Sequence, residues 1–211
     1  MIAAGEAMGV VVAGNVTFTT KRGQRPVVDQ TVVWLEPLGG KAPLQPPAAT
    51  RMITRGKALV PHVMAVPVGS TVEFPNEDPI SHNLFSLAPG NAFDLGLYRR
   101  GAGKSRKLES AGIVNVYCNV HPNMSGVIHV MPTPYYAFAD ASGRYSIDVP
   151  PGKYRLAAWN ELGGMTESII EVTGHGVFGD VALTIDSRNF RFVQHKNKKG
   201  RPYRAPSSRE Y

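Results

Sequence analysis

A chain of 211 residues is long enough to bury a hydrophobic core, either as one large domain or as two small ones. Its composition, with 43% hydrophobic and 18% charged residues, is that of a globular protein, and its 22 glycines and 17 prolines favour many short strands over long helices. The longest early apolar run, GVVVA at 9–13, is far short of the ~20 residues that cross a membrane, so we expect no membrane span.

The formal net charge of +7 is concentrated at the C-terminus. Basic and acidic residues balance over 1–187, with 15 of each, whereas 188–211 hold eight lysines and arginines against Glu210 alone. Because this basic tail comes without a domain of stacking aromatics, we expect no nucleic-acid partner, and instead docking on an acidic protein or surface. A second run without acids, RRGAGKSRK at 99–107, predicts a positive patch. Its candidate docking residues are Arg99, Arg100 and Lys104.

Short alternating strands are predicted throughout the chain. Strand-like runs occupy 14–19, 31–37, 59–66, 71–76, 112–118 and 126–131, three stretches within 135–160, and then 165–174 and 180–185. DASG at 140–143 has the residues of a tight hairpin turn, and PPG at 150–152 is expected to force a second reversal of the chain. No segment has apolar residues at helical spacing, and the sequence therefore predicts an all-β protein.

Two breaks in composition divide the chain. GGKAPLQPPAAT at 39–50 contains three prolines among small residues, and a second break falls near MPTP at 131–134. After Ser187 the alternation is lost, so residues 188–211 are expected to form a mobile tail. The alternative is a tail that lies ordered across a neighbouring subunit, with Phe190, Phe192 and Tyr203 as anchors. The start, MIAAGEAMG, lacks the basic flank and apolar stretch of a secretory signal, which indicates a mature or trimmed chain.

The stretch YCNVHPNMSG at 117–126 places the one cysteine of the chain, Cys118, three residues before His121 and six before Met124. Cys118 falls at the core-facing end of a predicted strand, and a tight loop follows it. A lone buried cysteine is usually a small hydrophobic residue, and Met124 alone would also be core. Taken together, however, thiolate, imidazole and thioether are the ligands of a copper ion that cycles between Cu(I) and Cu(II).

This ligand set needs a second imidazole, and His82 is the candidate. It follows the predicted strand at 71–76 and a turn that contains proline, so a neighbouring strand end could bring it to the cysteine loop. Asn83 can connect the two ligand loops through hydrogen bonds. The remaining histidines are predicted to be ordinary strand, turn or tail residues, with His129 pointing outward. They are His62, His129, His175 and His195.

The order His-Asn after a strand, followed by Tyr-Cys-x-x-His-Pro-x-Met-x-Gly, resembles the cupredoxins, the blue copper family, and in particular their amicyanin and plastocyanin-like members. The resemblance spans about residues 50–133 and implies a Greek-key β-sandwich that holds one copper ion. It makes Asn83 the residue that locks the loops. The implied copper ligands are His82, Cys118, His121 and Met124.

The same resemblance implies a function in which single electrons pass between redox partners. His121 would be the electron port, and Pro122 beside it would belong to the surface where partners dock. The partners would be redox proteins such as a c-type cytochrome or a dehydrogenase, and the compartment would be the periplasm or the cell exterior. Val120 departs from the family pattern, which often has proline there; this concerns the stiffness of the loop and not the ligands.

A second resemblance involves both ends of the chain. GNVTF with PVVDQTVVWLEP, and later FADASGRYSIDVPPGKYRLAAW, are similar to the two ends of a carboxypeptidase regulatory-like domain, a small transthyretin-like β-sandwich. This predicts a cupredoxin domain at 45–133 inserted into a discontinuous sandwich formed by 1–44 and 134–187. The basic tail at 188–211 completes the chain.

Two other classes of function fit the same residues. The site could bind copper for transport or storage without electron transfer, or it could be an accessory metal site in a structural or interaction protein. The chain has no His-x-His pair for the extra centres of multicopper oxidases, and no hydrolase or nucleotide-binding motif. We therefore expect that the protein is not an enzyme.

Overall fold

The structure, a computed structural model, describes residues 9–43 and 45–203. Within these residues seventeen strands follow one another: β1 (Val10–Thr19), β2 (Val32–Pro37), β3 (Ala49–Arg51), β4 (Ile53–Arg55), β5 (Ala58–Val60), β6 (Val63–Pro67), β7 (Thr71–Asn76), β8 (Leu84–Ser86), β9 (Phe93–Asp94), β10 (Gly101–Lys107), β11 (Gly112–Cys118), β12 (Ser125–Met131), β13 (Tyr136–Phe138), β14 (Arg144–Val149), β15 (Gly152–Asn160), β16 (Gly164–Val172) and β17 (Gly176–Asp186).

The described residues contain no α-helix, only a single 3₁₀ turn at Val28–Gln30, so the all-β prediction is confirmed. In the same part of the chain no helix has the length and hydropathy required to cross a membrane. Of the described residues, those in Met1–Gln45 and Thr133–Arg191 form one compact unit, and those in Pro46–Pro132 and Phe192–Tyr211 form another.

The first unit contains a three-stranded sheet, β14-β1-β17, and a four-stranded sheet, β13-β2-β15-β16. Both sheets contribute to one hydrophobic core, in which Val12 and Ile147 come from the first sheet, and Leu35 and Leu156 from the second. Strands of alternating burial, such as β14, turn one face to this core and the other to solvent. The first unit is therefore a two-layer β-sandwich.

The DASG turn of the first unit forms as its residues predict, but it does not make a hairpin. Gly143 has the positive φ of 88°, and its N–H donates to the carbonyl of Asp140 at 2.8 Å. The strands on either side then separate, because β13 pairs with β2 whereas β14 pairs with β1. After PPG, β15 likewise pairs with β2 and β16. The hairpin predicted at DASG is thus wrong, because both turns carry the chain from one sheet to the other.

The second unit is also a sandwich of two sheets. One has the order β10-β7-β4-β5, with β3 paired to β7, and the other has the order β6-β12-β11-β8-β9. Their inward side chains form a shared core, in which Phe74 comes from the first sheet, and Leu84 and Ile128 from the second. His129 on β12, predicted to point outward, is only 5% exposed, so that prediction is wrong. Its strand is buried at every residue from 126 to 131.

Strand pairing in the second unit brings together segments that are far apart in the sequence. The end of β11 pairs with β8, and this sets Cys118 opposite Leu84, only two residues after His82. His82 itself forms an isolated antiparallel bridge with Tyr98. The sheet therefore holds the predicted strand end at Cys118 next to the turn that bears His82.

Candidate metal centre

Cys118 is the last residue of β11 and lies inside the core of the second unit. Val114, Val116 and Cys118 are all buried on one face of the strand, and the cysteine is 0% exposed. Alternation along the strand thus places the thiol where the sequence predicts it. The N–H of Val120 points at the Cys118 sulfur, with 3.5 Å between N and Sγ.

His82 approaches the sulfur from the turn between β7 and β8. Its Nδ1 lies 3.7 Å from Cys118 Sγ, and the side chain is 0% exposed. Two backbone hydrogen bonds with Tyr98, of 3.0 and 2.9 Å, fix the main chain of His82. The main chain that carries this imidazole is therefore held by the fold.

His121 approaches the sulfur from the loop after β11. Its Nδ1 lies 3.6 Å from Cys118 Sγ, and its ring centroid lies 4.9 Å from that of His82, with the planes tilted by 59°. Burial and the neighbouring His82 lower the pKa of His121, which keeps a nitrogen lone pair available near neutral pH. The half-buried His121 is more exposed than the other two members of the group.

Met124 closes the loop that begins at Cys118. Its carbonyl accepts from the Cys118 N–H at 3.0 Å, and its N–H donates to the His121 carbonyl at 3.1 Å. The side chain is 1% exposed and belongs to the same core cluster as Cys118. The structure thus places this thioether in the core beside the cysteine, and ligation by its sulfur is part of the proposal below.

Asp78 is a member of the site that sequence reasoning missed. Its Oδ2 lies 2.8 Å from Nε2 of His82, and its carboxylate also accepts from the backbone N–H groups of Gly56 and Lys57 at 2.5 and 2.9 Å. Burial by itself would raise the pKa of Asp78, but hydrogen bonds from Lys57, His82 and Gly56 outweigh it and lower the pKa. The signal available in the sequence was a carboxylate in the turn four residues before the histidine.

The hydrogen bond to Asp78 determines which nitrogen of His82 faces the sulfur. An ionised carboxylate can only accept, so Nε2 carries the proton and Nδ1 keeps its lone pair in the neutral imidazole. Metal-binding histidines commonly have such a partner on the second nitrogen. Asp78 therefore prepares His82 to be a ligand through Nδ1.

Asn83 joins the two ligand loops, though through its main chain. Its carbonyl accepts from the N–H of Asn119 at 2.8 Å, directly after Cys118. The side-chain oxygen Oδ1 of Asn83 is buried and has no hydrogen-bond partner among the described residues. The hydrogen bond between the two loops at Asn83 is thus made by its main-chain carbonyl.

The candidate docking residues lie on two different parts of the second unit. Pro122 is half-buried on the ligand loop, directly after His121. Arg99 and Arg100 are exposed just before β10, and Lys104 lies on β10 with its Nζ donating to the carbonyl of Leu95. The positive run is therefore exposed, as its composition predicts, at the edge of the other sheet.

The donor atoms of His82, Cys118 and His121 fit a metal ion. All three lie within 4.8 Å of one another. Donors bound about 2.0–2.3 Å from one ion at roughly 120° would stand ~3.7 Å apart, close to the two nitrogen–sulfur separations found here. One thiolate with two imidazoles and a nearby thioether is the donor set typical of blue copper sites.

Solved structures with a similar fold include amicyanins, a cupredoxin and a pseudoazurin, although no family model and no curated protein matches the sequence. A reduced Cu(I) form of an amicyanin variant at pH 4 is 23% identical, covering 39% of this chain and 82% of its own, with a TM-score of 0.37. A purple cupredoxin from Nitrosopumilus maritimus is 24% identical over 39% of this chain and 99% of its own, with a TM-score of 0.33. A Sinorhizobium pseudoazurin is 23% identical over 41% and 76%, with a TM-score of 0.35.

Proposed function

We propose that the second unit is a cupredoxin-type copper domain that carries single electrons between redox partners, without catalysing a reaction itself. One observation carries the proposal: a buried thiol and two imidazole nitrogens lie within 4.8 Å of one another. His82, Cys118 and His121 would hold one copper ion, and Met124 would be a weak axial ligand. The first unit is proposed to be a carboxypeptidase regulatory-like sandwich that carries this domain.

Bound copper would supply a one-electron couple between Cu(I) and Cu(II). Three contacts would keep the ligand residues in place when the oxidation state changes. β11 fixes Cys118, the bridge to Tyr98 fixes His82, and Asp78 fixes the tautomer of His82. The buried positions of His82 and Cys118 exclude water from the donors. Because His121 is the most exposed member of the set, we propose that electrons enter and leave at its side of the unit.

Titration of the metal-free protein with Cu(II) tests this function. We expect an intense visible absorption that saturates at one equivalent of copper, since the Cys118 thiolate donates charge to the oxidised ion. The colour should disappear on reduction with ascorbate and return on reoxidation by air. Copper that binds without intense absorption, or that is released on reduction, would contradict electron transfer and favour storage or a structural metal.

We further propose that the electron partners are acidic redox proteins, such as a c-type cytochrome or a dehydrogenase, in the periplasm or outside the cell. Eight basic residues between 188 and 211 attract anionic surfaces over about one Debye length, ~8 Å at physiological salt. Of these, Lys196 and Lys199 are exposed in a segment that contacts the ligand loop through neighbouring residues.

Neutralising Lys196 and Lys199 together, each to glutamine, should slow oxidation of the Cu(I) protein by anionic hexacyanoferrate(III) and flatten the dependence of the rate on salt. The matched control is Arg106 and Lys107, both changed to glutamine at the end of β10 that pairs with the start of β7. Asn76 marks the opposite end of this strand pair, where β7 leads into the turn that bears His82. Arg106 and Lys107 are about 20 Å along the strand from that end. Stopped-flow rates between 10 and 300 mM salt measure the effect. Equal slopes for both double variants would contradict local steering.

A further inference from the structure

The segment Gln194–Tyr203, which we name the strap, folds back onto the loop that carries the candidate ligands. The sequence predicts no packing after Ser187, and this expectation is wrong for the strap. We propose that the strap is a positioning element that holds the Cys118–Met124 loop closed around the metal. The proposed copper function explains why the loop would need to be held closed. The contacts by which the strap holds it do not depend on that function.

The strap has a structure of its own around Asn197. The side-chain oxygen of Asn197 accepts from the N–H groups of Lys199 and Arg201 at 2.9 and 3.1 Å, and its backbone N–H donates to the Arg201 carbonyl at 2.9 Å. Gly200 occupies the left-handed region, with φ of 71°, where a residue without a side chain is favoured. The strap thus presents its side chains from a compact turn and not from a random coil.

His195 attaches one part of the strap to aromatic residues of the sheet. Its ring stacks on Tyr117, the residue before Cys118, with centroids 4.4 Å apart and planes 20° apart. It also meets Phe85 and Tyr203 edge to face, at 6.5 and 5.3 Å. Such ring pairs stabilise beyond the area that they bury, so the stack fixes the strap on the end of β11.

Tyr203 attaches the other end of the strap to the candidate ligand residue itself. Its hydroxyl lies 2.7 Å from the carbonyl oxygen of Cys118 and 3.2 Å from Nδ1 of His195. The hydroxyl has one hydrogen, and a carbonyl can only accept, so Tyr203 donates to Cys118. The bond holds the peptide at which the strand ends and the ligand loop begins.

Two asparagines of the ligand loop complete the attachment. Asn119 accepts from the backbone N–H of Lys198 at 3.0 Å, and Asn123 accepts from the side-chain amide of Gln194 at 3.0 Å. The Lys198 ammonium also pairs with Asp94 on β9. The strap is therefore bound next to both ends of the Cys118–Met124 loop, and opening of the loop must break these contacts.

Amide hydrogen exchange of the metal-free, full-length protein tests the strap directly. Tyr203→Phe keeps the ring and removes the one hydroxyl, and His195→Ala removes the stack. Both should raise exchange about tenfold at three hydrogen-bonded amides within the loop, since a hydrogen bond or ring contact of this kind changes local opening by about that factor. Those amides are Asn119, Val120 and Met124.

His195→Phe is the matched rescue, because it retains a ring that can stack on Tyr117 and should keep protection of the loop near that of the wild type. The amide of Val127 on β12, which is bonded to the His62 carbonyl, is the internal control for global unfolding. Once copper is loaded, its transfer to a Cu(I) chelator should be faster by a similar factor in Tyr203→Phe and His195→Ala.

Faster exchange confined to 194–203, with the three loop amides and the chelator transfer unchanged, would overturn the proposal. The strap would then pack against the loop without positioning it. The exchange experiment needs no metal. A protein that failed to bind copper would therefore refute the proposed function, while the loop amides would still decide whether the strap positions the loop.

Discussion

Cys118→Ser should abolish the intense visible absorption of the Cu(II) protein and weaken copper binding, while the chain remains folded. The sulfur of Cys118 is the one thiolate available to the cluster, since the chain has no second cysteine. A serine hydroxyl stays protonated near neutral pH and is a poor copper ligand. Burial of the hydroxyl in the core costs about 1–3 kcal/mol, which a domain of this size can tolerate.

Absorption spectra and copper titrations of the wild type and Cys118→Ser measure this effect, and circular dichroism checks the β fold. His175→Gln is the control, because it removes an exposed imidazole from the turn before β17, outside the cluster. It should leave the colour and the stoichiometry unchanged. Retention of the intense absorption in Cys118→Ser would show that the thiolate is not the source of the colour, and the blue-copper proposal would fail.

The inward position of Cys118 at the start of a tight loop could be anticipated because it depends on local patterns. Alternating residues define β11 and put Cys118 on its inner face, and the turn residues after it require a tight loop. The DASG and PPG turns show the limit of the same reasoning. Their residues specify a reversal of direction, but the pairing of each following strand is decided by the sheet that its apolar face can join.

Asp78 and the strap could not be anticipated in that way, since their contacts are polar and leave no periodic signal. Tyr203 is 85 residues from Cys118, and its role depends on one hydroxyl meeting one carbonyl. The sequence around His195 is polar and basic, as in a solvated tail, yet its ring stacks on Tyr117. A tail judged by charge alone looks mobile, whereas its hydrogen bonds to the ligand loop are made by uncharged side chains and by its backbone.

Asp78→Ala should weaken copper binding by about 10–100-fold and destabilise the metal-free protein by roughly 2–4 kcal/mol. The affinity falls because His82 loses the carboxylate that holds its proton on Nε2 and its lone pair on Nδ1. The stability falls because the N–H groups of Gly56 and Lys57 lose their acceptor as well. Copper competition titrations and urea unfolding measure the two effects separately.

The neighbouring carboxylate provides a matched control. Glu77 lies one residue away and forms an exposed pair with Arg55 at 2.7 Å, so Glu77→Ala should change copper affinity and stability little. The pH dependence gives a further check. Because the pKa of Asp78 is lowered in the folded protein, its stabilising contribution is fully present above the ordinary value of 3.8 and is lost as the pH falls through the lower folded-state pKa.

The difference in unfolding free energy between the wild type and Asp78→Ala should therefore shrink as the pH falls below the ordinary carboxyl value of 3.8. If Asp78 served only as the acceptor for the N–H groups of Gly56 and Lys57, Asp78→Ala would lose a similar amount of stability but would keep its copper affinity. Asp78→Asn separates these roles, since its amide oxygen can still accept from one backbone N–H or from His82 but carries no charge. If both variants bound copper as tightly as Glu77→Ala, Asp78 would have no part in preparing His82 as a ligand.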